Sequence, residues 1–381
     1  MGWIVQSTLG EATHVSTGIS VPWLGLLGWV GLLVACGSPL KLPDVHCESA
    51  VCPAPTSSPS QVVEQPWAAP DLSELPPCEG DPLDALSRDA LMPPPKSSDG
   101  YEAATQGDIG ATRNAIRLLI SDRAGSSIEA ARNAHYGICR GVQDDRDLVL
   151  FRPEEIRTGR AVFIIRTGDA RPLIISAPHP FFEYHTRAQA LEMFSTLGAR
   201  SIVVSGTHRC ANRGESPCFG YSGVCHPTRQ REALRESDMA HTTQSVFQAA
   251  HMELAILFPE TWIVSLHGMR RDGVALGDGT LLDTIADAPI VDLAIAVREL
   301  LPNERLTLCN DYPGNVHFPM GWPCGENNTQ ALFVNGVAGC SVQARRSSSR
   351  FLHVEQSIHV REQRGAIMEA LDWVVPQTMG P

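Results

Sequence analysis

The sequence predicts an α/β fold, a mostly parallel mixed sheet covered by helices on both faces with a hairpin at its start. Two observations lead to this prediction, and a third indicates where the site of such a fold lies. Short β-branched runs alternate with helical segments after residue 160. Thirteen of the 28 prolines lie between residues 37 and 98, which leaves the remainder for one large domain. Ten of the 13 histidines follow residue 178, several of them where predicted strands end.

The elements follow in chain order. Residues 101–140 have helical patterning and predict a helical lead-in. The runs 160–166 and 172–177 are rich in β-branched residues, and the Thr-Gly-Asp between them indicates a hairpin. The chain then alternates between predicted helices at 187–197, 238–258 and 290–301 and strands at 201–205, 261–266, 306–310 and 351–356, before a last helix that ends near 375.

The first hundred residues predict a targeting signal followed by a tether. Residues 19–36 are apolar, carry no charge and end in Leu-Val-Ala-Cys36, which resembles a bacterial lipoprotein signal with its lipobox. The resemblance implies lipid on Cys36 and an envelope protein anchored to a membrane, facing the periplasm or the surface. Residues 1–18 lack Lys and Arg, so a plain anchor or an ordinary signal stays open. We therefore expect a signal at 1–36, a Pro/Ser-rich tether at 37–100 and the domain at 101–381.

Composition limits the partners and the compartment. A net charge of −12 argues against nucleic acid, which requires clustered Lys and Arg. Without Cys36, ten of the 11 cysteines remain, an even number that is compatible with disulfides in an oxidising compartment. Their pairing stays open, although complete pairing requires a bridge between tether and domain.

Polar residues at three predicted strand ends indicate a metal site. His179 follows the strand 172–177, with Glu183 one helical turn beyond Pro180. His267 ends the strand 261–266, and Glu355 lies on the strand 351–356. Parallel strands gather such ends at one edge of a sheet. Two His and one Glu are a ligand set of catalytic zinc.

The segments APHPFFEYHT, VSLHGM and FLHVEQSIHVRE resemble the zinc carboxypeptidase-like and N-formylglutamate amidohydrolase-like hydrolases over roughly residues 160–370. The resemblance implies one Zn²⁺ ion held by His179, Glu183 and His267, with Glu355 as the catalytic acid/base. Glu183 follows His179 by four residues instead of the family's three, which leaves His185 as a rival ligand. Arg209, Arg213 and Arg361 are the candidates for holding a substrate carboxylate.

Together these features predict an envelope-anchored, zinc-dependent amidohydrolase or peptidase. Its substrate would be an N-acyl amino acid, a γ-glutamyl compound or a small peptide, hydrolysed at an amide bond by zinc-activated water. A catalytically inactive lipoprotein that binds a ligand or partner on the same fold is the alternative. We interpret His353 as structural, and Asp238 and His241 as a helix cap with its neighbour, with a role at the site rim left open.

Overall fold

The structure is a computed structural model that describes residues 69–285, 287–310 and 323–376. The predicted signal, with Cys36, and the first part of the predicted tether lie outside the described residues.

Nine strands form one mixed sheet in the order β1-β2-β3-β5-β4-β8-β11-β9-β10. Their bounds are β1 Tyr136–Gln143, β2 Arg146–Pro153, β3 Val162–Arg166, β4 Arg171–Ala177, β5 Ala199–Val204, β8 Trp262–Gly268, β9 Val274–Gly277, β10 Leu306–Leu308 and β11 Phe351–Gln356, and the short strands β6 Tyr221–Ser222 and β7 Glu232–Ala233 pair separately. The central strands β5, β4, β8 and β11 are parallel, whereas antiparallel pairs flank them on both sides. The predicted mixed α/β sheet is confirmed.

Helices lie on both faces of the sheet, as predicted. They are α1 Arg88–Leu91, α2 Gln106–Ile120, α3 Ala124–Asn133, α4 Thr186–Leu197, α5 Val246–Leu257, α6 Pro289–Leu300, α7 Thr329–Val334, α8 Ile358–Glu362 and α9 Gly365–Val374. One core cluster packs α4, α6 and α9 on the sheet, and a second packs α2, α3 and α5 on the opposite face. This arrangement leaves the carboxyl ends of the parallel strands open.

The predicted hairpin between the runs 160–166 and 172–177 is wrong. Both runs are strands, but β5 lies between β3 and β4 in the sheet. Every residue of the two strands is buried, as expected of inner strands with neighbours on each side. The hairpin at the start of the sheet is instead β1 and β2, whose turn residues Asp144 and Asp145 both have positive φ.

The folded domain begins earlier than residue 101. Residues 69–100, predicted as part of the tether, pack on the domain, with Leu72, Leu75, Leu86 and Leu91 buried in the two core clusters. A disulfide joins Cys78 to Cys139 in β1. The spacing of prolines favoured an extended tether, whereas the leucines between them supply enough apolar surface to dock this segment.

Leu86→Ala tests the place of this segment in the fold. The side chain of Leu86 is fully buried, so its truncation should lower the free energy of unfolding by about 2–5 kcal/mol. Met92→Ala is the matched control, because Met92 lies in the same segment and is exposed. Urea unfolding followed by circular dichroism measures both variants, and equal stability of the two would mean that the segment does not belong to the core.

Four disulfides join cysteines of the described residues. They are Cys78–Cys139, Cys210–Cys225, Cys218–Cys340 and Cys309–Cys324. Eight of the ten cysteines that remain without Cys36 are therefore disulfide residues, and a bridge between the tether segment and the domain is present. Such a set is typical of proteins from an oxidising compartment outside the cytoplasm. Within the described ranges, no helix is long and apolar enough to span a bilayer.

Candidate metal and active site

A cavity of about 550 Å³ opens at the carboxyl ends of the parallel strands. His179, Glu183, His267 and Glu355 all line it. Polar residues at such strand ends commonly form the site of an open α/β sheet, because the sheet positions them and the loops leave room for a ligand.

The strands bring these side chains together. His179 lies just beyond the end of β4, and the Glu183 N–H donates to the His179 carbonyl at 2.8 Å, which forms the turn that places the two side chains together. His267 lies near the end of β8 and is the register partner of Glu355 in β11. Residues paired in register project toward the same face of a sheet, so both point to the cavity.

Glu183 is the centre of a compact donor set. Its Oε1 lies 2.8 Å from His179 Nδ1, and its Oε2 lies 3.5 Å from His267 Nδ1. The Gly268 N–H donates to the same Oε2 at 2.9 Å. One ligand atom from each of His179, Glu183 and His267 lies within 4.8 Å of the others, and all three side chains are buried. These groups can hold a metal ion.

The ionisation states of Glu183 and His267 suit metal binding. Burial raises the pKa of Glu183, but the neighbouring His179 and His267 outweigh it and hold that pKa well below its usual value. Burial lowers the pKa of His267 to about 4, helped by His353 and opposed by Glu183 and Glu355. At neutral pH the set therefore presents a carboxylate and a neutral imidazole, the forms that bind metals.

Asp238 faces the other nitrogen of His179. Its Oδ1 lies 2.7 Å from His179 Nε2 and 3.0 Å from His241 Nδ1. Burial and Arg209 lower the pKa of His179, but Glu183 and Asp238 outweigh them, and the pKa is raised. Burial raises the pKa of Asp238, and Arg209 and the two histidines hold it well below its usual value. Asp238, His241 and His179 form a second group that can hold a metal ion.

The helix predicted to begin at residue 238 begins at Val246, with Ser245 as its cap. Asp238 and His241 are therefore not a helix cap with its neighbour, and their side chains belong to the site. The prediction failed because an Asp before an apolar run is typical of a helix start, whereas its partners here are distant in sequence.

Glu355 and His353, both on β11, line the cavity beside His267. Glu355 Oε1 lies 3.4 Å from His353 Nε2, and the His353 ring centroid lies 4.5 Å from that of His267. Neither nitrogen of His353 nor Oε2 of Glu355 has a hydrogen-bond partner among the described residues. Gly325 has φ 76°, and a Cβ there would lie 2.7 Å from the His353 ring. The loop can approach His353 only because residue 325 is glycine.

The predicted arginines have different positions. Arg209 lines the cavity, but its Nε donates to Asp238 at 3.2 Å and its Nη1 to Glu183 at 3.3 Å. Arg361 donates to the Tyr184 carbonyl at 2.5 Å, and Arg213 lines a separate depression. Neither is among the cavity residues.

Two arginines that the sequence analysis did not single out, Arg229 and Arg270, are exposed at the cavity mouth. They follow no predicted strand directly, so their position in the sequence carries no signal for the site. His185 is exposed at the start of α4, outside both groups of candidate metal ligands in the described part of the chain.

The charges of the site favour a cation. Two buried carboxylates, Glu183 and Glu355, line the cavity, and a third, Asp238, is hydrogen-bonded to His179 in its wall. Arg209 pairs with Glu183 and Asp238. One guanidinium does not balance three buried carboxylates, and a divalent cation between imidazole and carboxylate ligands reduces the cost of burying them. The donor set His179, Glu183 and His267 therefore fits a metal ion on its chemistry as well as on its geometry.

Comparison with known proteins gives little further information. No family model matches the sequence, and no curated protein matches it. Among solved structures, a candidate carboxypeptidase A from Shewanella denitrificans OS-217 is 12% identical, with a TM-score of 0.28 over 65% of this chain. The match spans 66% of that protein, slightly less than two thirds of its length. A likeness this slight supports no inference about fold or function.

Proposed function

We propose that this protein is a metal-dependent amidohydrolase or peptidase that cleaves an amide bond of an N-acyl amino acid, a γ-glutamyl compound or a small peptide. The observation that carries the proposal is the buried His179, Glu183 and His267 group, whose ligand atoms lie within 4.8 Å of one another in the wall of a cavity. A volume of about 550 Å³ is in the range of small-molecule sites.

In this proposal His179, Glu183 and His267 hold one Zn²⁺ ion, since two imidazoles and a carboxylate are a ligand set of catalytic zinc. The ion would supply Lewis acidity and lower the pKa of a water molecule at the site. Asp238 would accept a hydrogen bond from His179 Nε2, which fixes the tautomer whose Nδ1 lone pair is free to bind the ion beside Glu183. The group of His179, Asp238 and His241 would then be an orienting network.

Glu355 is the proposed acid/base. It lines the cavity beside His267, and its Oε2 has no partner among the described residues. A carboxylate so placed can accept a proton from the attacking water and deliver it to the departing amine. Arg209 is committed to Glu183 and Asp238, so its part would be to hold those carboxylates in place.

An anionic substrate group would meet Arg229 and Arg270 at the cavity mouth. Both guanidiniums are exposed, and no ion pair within the described ranges involves them. A planar guanidinium binds a carboxylate with two parallel hydrogen bonds, which favours a substrate that carries one. Delivery to the bacterial envelope through lipid on Cys36 is part of the same proposal, and nucleic acid is not among the proposed partners.

The test is a screen of N-acyl amino acids and γ-glutamyl peptides with purified protein, with and without a chelator, and with each acid matched by its carboxamide. We expect release of an amine that the chelator abolishes and that Zn²⁺ restores, with a preference for the free acid. Turnover that resists the chelator would contradict a metal mechanism. No turnover from a protein that binds metal and ligand would favour the inactive binding protein.

Asp238→Asn tests the orienting network. The amide keeps the shape of the side chain but removes the charge that faces His179, so metal affinity should fall by about 10–100-fold. Competition with a fluorescent zinc chelator measures this affinity. Glu236→Gln is a matched control, because Glu236 lies two residues away and pairs with Asn212 instead. Equal affinities in the two variants would remove Asp238 from the network.

A further inference from the structure

Some of the buried polar atoms that lack a hydrogen-bond partner lie in the wall of the cavity. Eight described residues carry such atoms, and three of them, Asn328, His353 and Glu355, line the cavity. Nearly all buried polar groups of native proteins have hydrogen-bond partners. Unpartnered groups that share one cavity therefore indicate a place where a bound ligand supplies the missing partners. The proposed function uses Glu355 of this set but neither His353 nor Asn328, and Asn328 is the one whose unpartnered atom is a side-chain amide nitrogen.

The side-chain amide of Asn328 has a fixed orientation. Its Oδ1 accepts hydrogen bonds from the N–H groups of Gln330 at 2.9 Å and Ala331 at 3.1 Å. A flipped amide would place its NH₂ against these two donors, so the geometry determines which atom is nitrogen. Nδ2 is the atom left without a partner, and Asn328 is 1% exposed. This nitrogen is a donor that the protein holds in place but does not use.

Backbone hydrogen bonds join Asn328 and its neighbour Thr329 to two parts of the cavity wall, one at Gly325 and one at Ala240. Its own N–H donates to the Gly325 carbonyl at 2.9 Å, and Gly325 packs on the His353 ring. The next residue, Thr329, donates its N–H to the Ala240 carbonyl at 2.8 Å, beside His241. The disulfide Cys309–Cys324 anchors the start of the same segment. Asn328 is therefore fixed to the His353 and Glu355 side and to the Asp238 and His241 side alike.

We propose that Asn328 is a substrate-binding residue that donates a hydrogen bond from Nδ2 to an oxygen of the substrate, a carbonyl or carboxylate oxygen. This inference rests on the proposed function and adds a contact to it. An amide nitrogen can only donate, so it selects an acceptor and disfavours an ammonium group. The donor is oriented before the substrate arrives, which makes its loss costly for catalysis.

Asn328→Asp isolates the donor. Aspartate caps a helix as well as asparagine does, so the bonds to Gln330 and Ala331 persist while the N–H donor becomes an acceptor. We expect kcat/KM to fall by about 10²–10³-fold. Asn327→Asp is the control for charge, because Asn327 is the exposed neighbour at the cavity mouth. Asn328→Ser also caps and adds no charge, which provides the same test should the Asp variant not fold. A kcat/KM within about threefold of the Asn327→Asp value in every folded Asn328 variant would overturn the inference.

A measurement without turnover separates this inference from the proposed function. The ¹⁵N-labelled protein is loaded with Zn²⁺ and titrated with N-acetyl-amino acids, N-acetyl-L-glutamate among them, while side-chain amide resonances are followed by NMR. The Asn328 pair is assigned by its absence in Asn328→Asp. We expect this pair to shift saturably. A shift without any hydrolysis would reject the amidohydrolase and keep the contact. Hydrolysis, or bound ligand, with an unmoved Asn328 resonance would reject the contact alone, and a panel that never moves it would reject it as well.

Discussion

Glu355→Gln is expected to lower kcat by about 10²–10⁴-fold while the protein keeps its metal. Glutamine has the shape of glutamate but cannot take a proton from water, and Glu355 is not among the proposed ligands. Its Oε1 lies 3.4 Å from His353 Nε2 and its Oε2 faces no described partner, so the substitution breaks no strong bond of the fold. The loss should therefore appear in turnover and not in thermal stability.

Glu362→Gln is the matched control, because it makes the same chemical change at an exposed position of α8. Initial rates on the best substrate of the screen, with metal content measured on the same preparations, compare the two variants. Undiminished turnover by Glu355→Gln would exclude this residue as the base. A loss of metal together with activity would make Glu355 a ligand instead.

His179→Ala and His267→Ala are expected to abolish both the metal and the amidase activity. Each removes an imidazole from a set of three donors, and a site with two protein ligands holds zinc weakly. His251→Ala is the control for the loss of a buried imidazole, because His251 is buried in α5 and is not a cavity residue. That variant should keep its metal even though it loses stability. Turnover by either ligand variant at the wild-type rate would contradict the proposed centre.

The ends of the parallel strands could be predicted from the sequence because the information there is local. A β-branched run followed by His179 or His267 indicates both the strand and its end, and parallel neighbours bring such ends together. The structure does place His179, Glu183, His267 and Glu355 around one cavity. Their proposed roles in metal binding and catalysis are what the variants above test.

Contacts between distant segments could not be predicted in this way. Asp238 lies before an apolar helix, a typical place for a cap, and only the tertiary fold brings it to His179. The sequence predicts Arg209 as a residue that holds a substrate carboxylate, yet in the structure it pairs with Glu183 and Asp238. The strand order could not be predicted for the same reason. The Thr-Gly-Asp turn after β3 gives no sign that β5 lies between β3 and β4 in the sheet. Packing decides between such alternatives, and it depends on residues far away in the chain.

The metal content of the purified wild-type protein tests the central claim most directly. The protein is equilibrated with Zn²⁺, freed of excess metal by gel filtration and analysed by inductively coupled plasma mass spectrometry beside His179→Ala, His267→Ala and His251→Ala. We expect one zinc per chain in the wild type and in His251→Ala, and none in the other two variants. A folded wild-type protein that retains no metal, or His179→Ala and His267→Ala variants that retain it fully, would contradict the account.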